Sequence, residues 1–440
     1  MLEIYLSYSL LGSLLISNVM IKYLALFLTI FCIDSVSFDL RDAVNISIHN
    51  NKQLNIAYQN LQKEISLSSD IFIDFLPDIQ INWHRTSLNQ NPQVRDYKEH
   101  SSSDIISLML HYNIFNGGSS LCKVAYSNAN ISAAYQKYNQ MFAEIIYHSI
   151  TSYQNVLTSR SLLVIDEDLI KMAQKNLTKS EYNLKAGADT KSSIFIAQSQ
   201  LSEIKAQYER HFQEYKKSEQ EFYYYIGIMP PNNLENINIL NFQQFSSVDD
   251  LLKISKTFNN VILNSKYEAL GSKHAIGIYT SKISPSMSIF YKLDKYIPRL
   301  NTQQVTENNV FGISISIPLL SKGGIDYLSI DRAKKQHYIH NLKVGSTKDY
   351  VYNQVVNSWN NYITSKKILN EYESAQNSYL HTTKAIETEF EYGSKTIFEV
   401  ITIQKEYHLS SIKKLLEERQ FKLSFFELHK LAGNLSKLIL

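Results

Sequence analysis

Cysteine is nearly absent: Cys32 and Cys122 are the only two in 440 residues, too few for a disulfide framework. Glycine (13) and proline (7) are scarce, so few turns and long uninterrupted elements are expected. No sign of charge dominates, because 44 basic and 41 acidic side chains leave a net +3, which gives no sequence-independent pull toward nucleic acid. After Phe38 no run of 18 apolar residues occurs, which excludes membrane-spanning helices beyond the amino terminus. Catalytic signatures are missing too: there is no Gly-x-Ser-x-Gly, no Gly-x-x-x-x-Gly-Lys, no His-Glu-x-x-His and no Cys-x-x-Cys. The histidines are scattered, so no enzymatic role, cofactor or metal site is expected. What remains is a chain 44% hydrophobic, with 30 tyrosines and 20 phenylalanines.

The amino terminus speaks to compartment. Lys22 precedes an apolar run, Tyr23 to Ile33, followed by small residues at Ser35 and Ser37. That pattern reads as a secretory signal starting at Met20 and cleaved after Ser37, which makes residues 1–19 an extension. The alternative is one uncleaved membrane helix over residues 5–33, interrupted by Asn18 and Lys22.

The chain repeats itself at an offset of 205 to 208. Asn51-Lys52-Gln53-Leu54 answers Asn259-Asn260-Val261-Ile262, and Pro77 answers Pro285. Gly117-Gly118 answers Gly323-Gly324; Gly187-Ala188-Asp189-Thr190 answers Gly393-Ser394-Lys395-Thr396; Gln198 keeps step with Gln404, and Gly227 with Gly433. The expected organisation is an extension and signal over 1–37, a first repeat over 38–232 and a second over 233–440.

Each repeat has two segments of period two, at about 77–88 and 104–114, then 285–295 and 310–318. Ile79, Ile81 and Trp83 share one face; so do Leu108, Leu110 and Tyr112, then Ile289 and Tyr291, then Ile313 and Ile315, each against a polar face. About ten residues is what a tilted strand needs to cross a bilayer, and these ten residues are the expected lipid contacts. The rest reads as helix. Ser119 to Leu184 has neither glycine nor proline, giving a rod of about 100 Å, with Ile325 to Tyr392 as its counterpart. Leu121, Tyr135, Phe142, Val156, Leu163, Ile170 and Leu177 fall on one seven-residue register, predicting a helical seam. The rods reverse at Gly187 and Gly393 and return through 192–226 and 397–432; shorter helices cover about 40–70 and 248–280.

Signal, tandem repeat, two amphipathic hairpins and two helical hairpins together resemble the TolC-like family of outer-membrane efflux channels. The motifs are Asn51-x-x-Leu54, Pro77 before the first strand, Phe115-x-Gly-Gly118, Gly187-x-x-Thr190-x-x-x-Ile194-x-x-Ala197-Gln198 and Ile317-Pro318-Leu319-Leu320. The resemblance implies a mainly α fold with membrane β: a long coiled-coil helical barrel, plus four strands per protomer entering a trimeric twelve-stranded transmembrane barrel. It implies a homotrimer in the outer membrane, with its helical tunnel in the periplasm, in contact with outer-membrane lipid. Its implied partners are a periplasmic membrane-fusion adaptor and an inner-membrane pump of RND, ABC or MFS type, serving efflux or type I secretion; nucleic acid is not among them. The family closes its tunnel near the glycine turns. Carried over by position, Phe390, Lys395, Glu399 and Thr402, with Ser192 and Ser193 in the first repeat, are the expected aperture residues. Because Lys395 is a point charge and Phe390 has no hydroxyl, a weakened closing network is expected; the bland reading makes Lys395 and Glu399 a surface pair one helical turn apart. Leu184, Gly187, Ala188, Thr190, Gly393, Ser394 and Thr396 are the expected adaptor-docking residues. The rival class is an exported coiled-coil structural or adhesive protein with no channel.

Overall fold

The computed structural model describes residues 38–90, 99–187, 190–239, 242–298 and 304–440. The expected signal, its cleavage point, Cys32, and the turn residues Ala188 and Asp189 lie outside the described residues.

The first half runs α1 (Leu40–Asn50), α2 (Lys52–Ser69), β1 (Asp78–Gln90), β2 (Glu99–Asn116), α3 (Ser119–Lys185) and α4 (Lys191–Ile226). The second half repeats that order as α5 (Val248–Phe258), α6 (Asn260–Thr280), β3 (Ser286–Pro298), β4 (Thr306–Ser316), α7 (Ile325–Glu391) and α8 (Ile397–Ala432), closed by α9 (Leu435–Ile439). The duplication reaches backbone detail: α3 and α7 each have 67 residues, and α4 and α8 each have 36. The paired glycines have φ +66° and +83° at Gly117-Gly118, against +67° and +84° at Gly323-Gly324. The matched asparagines have the same task in both halves. Asn51 Oδ1 accepts from the backbone N–H of Gln53 and Leu54, and Asn259 Oδ1 from those of Val261 and Ile262, so each caps the second of two consecutive helices. These caps split the spans 40–70 and 248–280, expected as single helices, into α1/α2 and α5/α6.

The chain divides into two compact units, and neither is one repeat. Among the described residues the first comprises 38–50, 149–187, 190–239 and 371–419. Its core is organised by Tyr153, which has 0% exposure, stacks on Phe38 and lies beside Phe222. The Tyr153 hydroxyl lies 2.8 Å from the carbonyls of Phe38 and Glu235, and burial pushes its pKa far up. The second unit comprises, among the described residues, 51–90, 99–148, 242–298, 304–370 and 420–440. It holds an aromatic core of Phe242, Tyr362, Phe425 and Phe426 around the buried His429, and it holds the sheet.

That sheet is antiparallel in the order β1-β2-β3-β4, so among the described residues β1 and β4 are both free edges. Its strands depart from the expected spans. β2 starts at Glu99 rather than near 104 because β1 pairs with it out to Gln90. β4 runs 306–316 rather than 310–318: Pro318, without an N–H, cannot extend a ladder, and Ile317 lies beyond the strand. The predicted seam of α3 also needs correcting. Val156 is buried, but Leu121 and Tyr135 are exposed, and Phe142, Leu163, Ile170 and Leu177 are only half-buried. The buried register one position back is Leu162, Asp166, Leu169, Ala173, Asn176 and Ser180. Small side chains let helices approach closely: Leu169 and Ala173 pack on Ile204 of α4, and Asp166 meets His211 and Gln207. Among the described residues no helix is long and apolar enough to cross a membrane.

Candidate functional site

Two regions hold the expected functional residues. In the sheet, strand register places all ten expected lipid contacts on one face. Ile79, Leu110, Tyr291 and Phe311 form one row across the four strands; Ile81, Leu108 and Leu293 form the next; Tyr112, Ile289 and Ile313 form another, with Met287 beside Ile315. Most of this face is bare: Ile81 is 74% exposed and Phe311 69%. The apolar rows stop at charge. Arg85 Nε donates to Asp104 at 2.8 Å with its guanidinium over the Trp83 ring, and Lys295 meets Glu307 at 2.9 Å. An aromatic next to charge is the pattern found where hydrocarbon gives way to headgroups.

The opposite face is mixed: Gln80, Asn82, Ser107, Lys292, Asp294 and Asn308 share it with Ile105, Met109, Phe290, Tyr296 and Val310. Asp294 is buried there, accepting from Ser107 Oγ at 2.6 Å and from Lys292 Nζ at 2.8 Å. His84 and His111 lie on this face. Phe290 crosses it over Gly312, where a β-carbon would come within 2.6 Å of the ring.

The second region is the pair of helix reversals, both within the first unit. Gly187 (φ +74°) and Gly393 (φ +77°) occupy the left-handed region that closes a helix, their N–H groups bonding the carbonyls of Leu184 and Phe390 at 3.0 Å. Ser394 returns its N–H and its hydroxyl to the Glu389 carbonyl. Thr396 and Glu399 then start α8 as a capping box. The Thr396 hydroxyl accepts from Glu399 N–H, while Glu399 Oε2 accepts from Thr396 N–H (2.8 Å) and hydroxyl (3.0 Å). Lys395 Nζ adds a bond to Glu399 Oε1 at 2.9 Å. These bonds, the Thr396 N–H first, hold the Glu399 carboxyl down at about 2. Within the chain, then, Lys395 and Glu399 are partners on one helix start, and both remain partly exposed. In the first repeat the positions of Thr396 and Glu399 are taken by Thr190 and Ser193, their hydroxyls 3.4 Å apart. Ser192 is exposed, and Thr402 is exposed with its hydroxyl turned back to the Phe398 carbonyl.

Phe390 is better supported than its missing hydroxyl implied. It packs with Leu177, Ile196 and Ile386 on the buried cluster Ala197, Ile397, Val400 and Ile401. Lys179 Nζ stands 4.4 Å above its ring and 4.0 Å from Glu391, so a cation over the ring ties α3 to α7. Sequence reasoning missed Lys179, which nothing in its neighbourhood marks. It missed a second tie as well: Asn176 Nδ2 donates to Gln404 Oε1 at 2.7 Å, and Gln404 Nε2 to Glu387 Oε1 at 2.6 Å. It also missed exposed aromatics beside the turns, of which Tyr392 is 85% exposed. Among the described residues no group of three or more His, Cys, Asp or Glu is placed to hold a metal ion.

No protein-family profile matches the chain, and no curated protein matches it. Solved structures do. The channel protein CusC aligns with a TM-score of 0.80 at 13% identity, covering 90% of this chain and 92% of its own. The CmeC outer-membrane channel of Campylobacter jejuni aligns at 0.77 and 13% identity, covering 90% and 85%. The MtrE outer-membrane channel of Neisseria gonorrhoeae, in its open state, aligns at 0.75 and 15%, covering 90% and 89%. At such identities the likeness is one of fold, and over nine-tenths of its length this chain has the fold of the TolC-like outer-membrane channels.

Proposed function

We propose that the chain is one protomer of a homotrimeric outer-membrane exit channel, exported by the signal in 1–37 and built from repeats 38–232 and 233–440. The observation that carries this reading is the sheet: four strands with two free edges and a bare apolar face. Four strands do not close a barrel, and unpaired edges in hydrocarbon are costly, so copies must complete it. β1 and β4 run in opposite directions, as antiparallel pairing of one copy's β4 with the next copy's β1 requires. Similar folds described as outer-membrane channels support the same reading. Three copies pool twelve strands, and the helical hairpins form a periplasmic tunnel whose aperture lies at the reversals around Phe390, Lys395, Glu399, Thr402, Ser192 and Ser193. The turns at Leu184–Gly187 and Gly393–Thr396 receive a periplasmic adaptor that links the channel to an inner-membrane pump of an efflux or type I secretion system. The channel is passive: it supplies a wet lumen and a movable constriction, and the pump supplies the energy. The test is single-channel recording in planar bilayers. Discrete conductance steps are expected from the purified mature protein; a protein that stays soluble without detergent and gives no conductance contradicts the proposal.

A further inference from the structure

One buried serine is treated differently in the two repeats. Ser47 of α1 is 0% exposed and fully paired: its hydroxyl donates to the Tyr225 carbonyl at 2.7 Å and accepts from the Ser149 hydroxyl at 2.8 Å. Its counterpart on α5, 208 residues later, is Ser255, which is 1% exposed and whose hydroxyl has no hydrogen-bond partner among the described residues. Both partners are lost in the second repeat. Val355 stands where the first repeat has Ser149, and the Leu431 carbonyl, counterpart of the Tyr225 carbonyl, already accepts from Asn259 Nδ2 at 2.9 Å. A buried hydroxyl left unpaired is costly until something else bonds it.

Ser255 lines a cleft of about 590 Å³ bounded by α5, the start of α6 and α7. That volume falls in the range of small-molecule sites, about 300 to 1,000 Å³. Leu252, Ile262, Val351 and Val355 supply apolar walls, the last three of them buried. Lys253, Lys256 and Lys348 stand around them against Asp249 and Asp349, which leaves one positive charge in surplus. Lys253 lies 3.9 Å from Asp250, whereas Lys256 and Lys348 make no ion pair among the described residues, and neither do Asp249 and Asp349. The walls change in step with the serine. Ile48, Phe142 and Ile146 of the first repeat correspond to Lys256, Lys348 and Tyr352. Three apolar side chains give way to two ammonium groups and a phenol, and packing gains nothing by it: Tyr352 is 55% exposed, where Ile146 is fully buried.

We infer that this cleft binds a small organic anion, a single acidic group on an apolar body. The Lys256 and Lys348 ammonium groups hold the acid through charge-assisted hydrogen bonds, the strong kind. Leu252, Ile262, Val351 and Val355 take the apolar body out of water. The Ser255 hydroxyl, which can donate and accept, gains the partner it lacks. A cationic ligand would leave the surplus positive charge unmet, and a purely apolar one would leave the hydroxyl stranded. The first repeat, with Ser47 already paired, offers no second site, so each chain has one. Every residue of the cleft lies in the second compact unit of a single chain, so the site does not depend on how many chains assemble.

The test titrates 1-anilinonaphthalene-8-sulfonate, an anion on an aromatic body, into the full-length protein in lipid nanodiscs and follows its fluorescence, with empty nanodiscs as baseline. N-phenyl-1-naphthylamine, the same body without the sulfonate, reports apolar contact alone. Saturable binding of the sulfonate at one site per chain is expected. Lys256→Gln with Lys348→Gln should weaken it about tenfold or more and leave the neutral probe unchanged. A second variant, Lys256→Ile with Lys348→Phe and Tyr352→Ile, gives the second repeat the residues of the first and should abolish the site. All three positions are exposed, and an unchanged melting temperature verifies that the fold is kept. No saturable sulfonate binding by the wild type, or undiminished affinity in the two-lysine variant, overturns the inference. So does a neutral probe that binds as tightly as the sulfonate.

Discussion

Glu399 has two properties at once: it caps α8, and it keeps its charge. Glu399→Gln separates them, because glutamine at the third helical position sustains a capping box without the charge. In the proposed channel the Glu399 carboxylates of the copies ring the aperture and favour cations, so the substitution should lower cation preference in planar bilayers and leave thermal stability nearly unchanged; unaltered selectivity would take Glu399 out of the aperture. The carboxyl titrates at about 2, below its ordinary 4.5, so it remains ionised down to that pH, and the cation preference of the wild type should be flat from pH 7 to pH 4. The buried histidines set the opposite limit. Burial lowers the pKa of His408 and His429 below the ordinary imidazole value of 6.5, with both rings held neutral. A depressed pKa contributes stability above the unfolded value that is lost as pH falls toward the folded one. Melting temperature should therefore drop on acidification from pH 7 to pH 5, and His429→Gln should flatten that slope; a melting temperature rising with acidity would contradict the sign.

Among elements, the ones legible in the sequence were those set by backbone chemistry. Gly187 and Gly393 announce reversals, and alternation along β1 to β4 fixes which face is apolar; Asn51 and Asn259 were legible as markers of the repeat, but the helix starts they cap were not. Asn51→Ala should destabilise α2 by about 0.5 to 2 kcal/mol. Asn259→Ala should fall at the upper end of that range, because Asn259 is buried and its Nδ2 also donates to the Leu431 carbonyl at 2.9 Å. Chemical denaturation of the two variants, with equal losses as the contrary result, measures the difference. The seam of α3 was not legible, because ranking by size favours Leu121 and Tyr135 over the Ala173, Asn176 and Ser180 that allow close approach. Asn176–Gln404 and Lys179–Phe390 were hidden for another reason. Their partners lie on different helices hundreds of residues apart, and neither residue type is unusual where it stands.

For the whole molecule, the internal repeat is what the sequence carried most clearly, and the compact units are what it did not reveal, since each gathers segments of both halves. The number of strands is the decisive quantity at this scale. A sheet with β1 and β4 both open and an apolar face uncovered is stable in a bilayer only when further strands close it. Everything proposed about the channel depends on that closure, and the most direct check is the mass of the protein extracted from membranes and held in lipid nanodiscs. The account predicts three chains per particle, separating into single chains on heating in detergent; one chain per particle, intact in lipid, would contradict it.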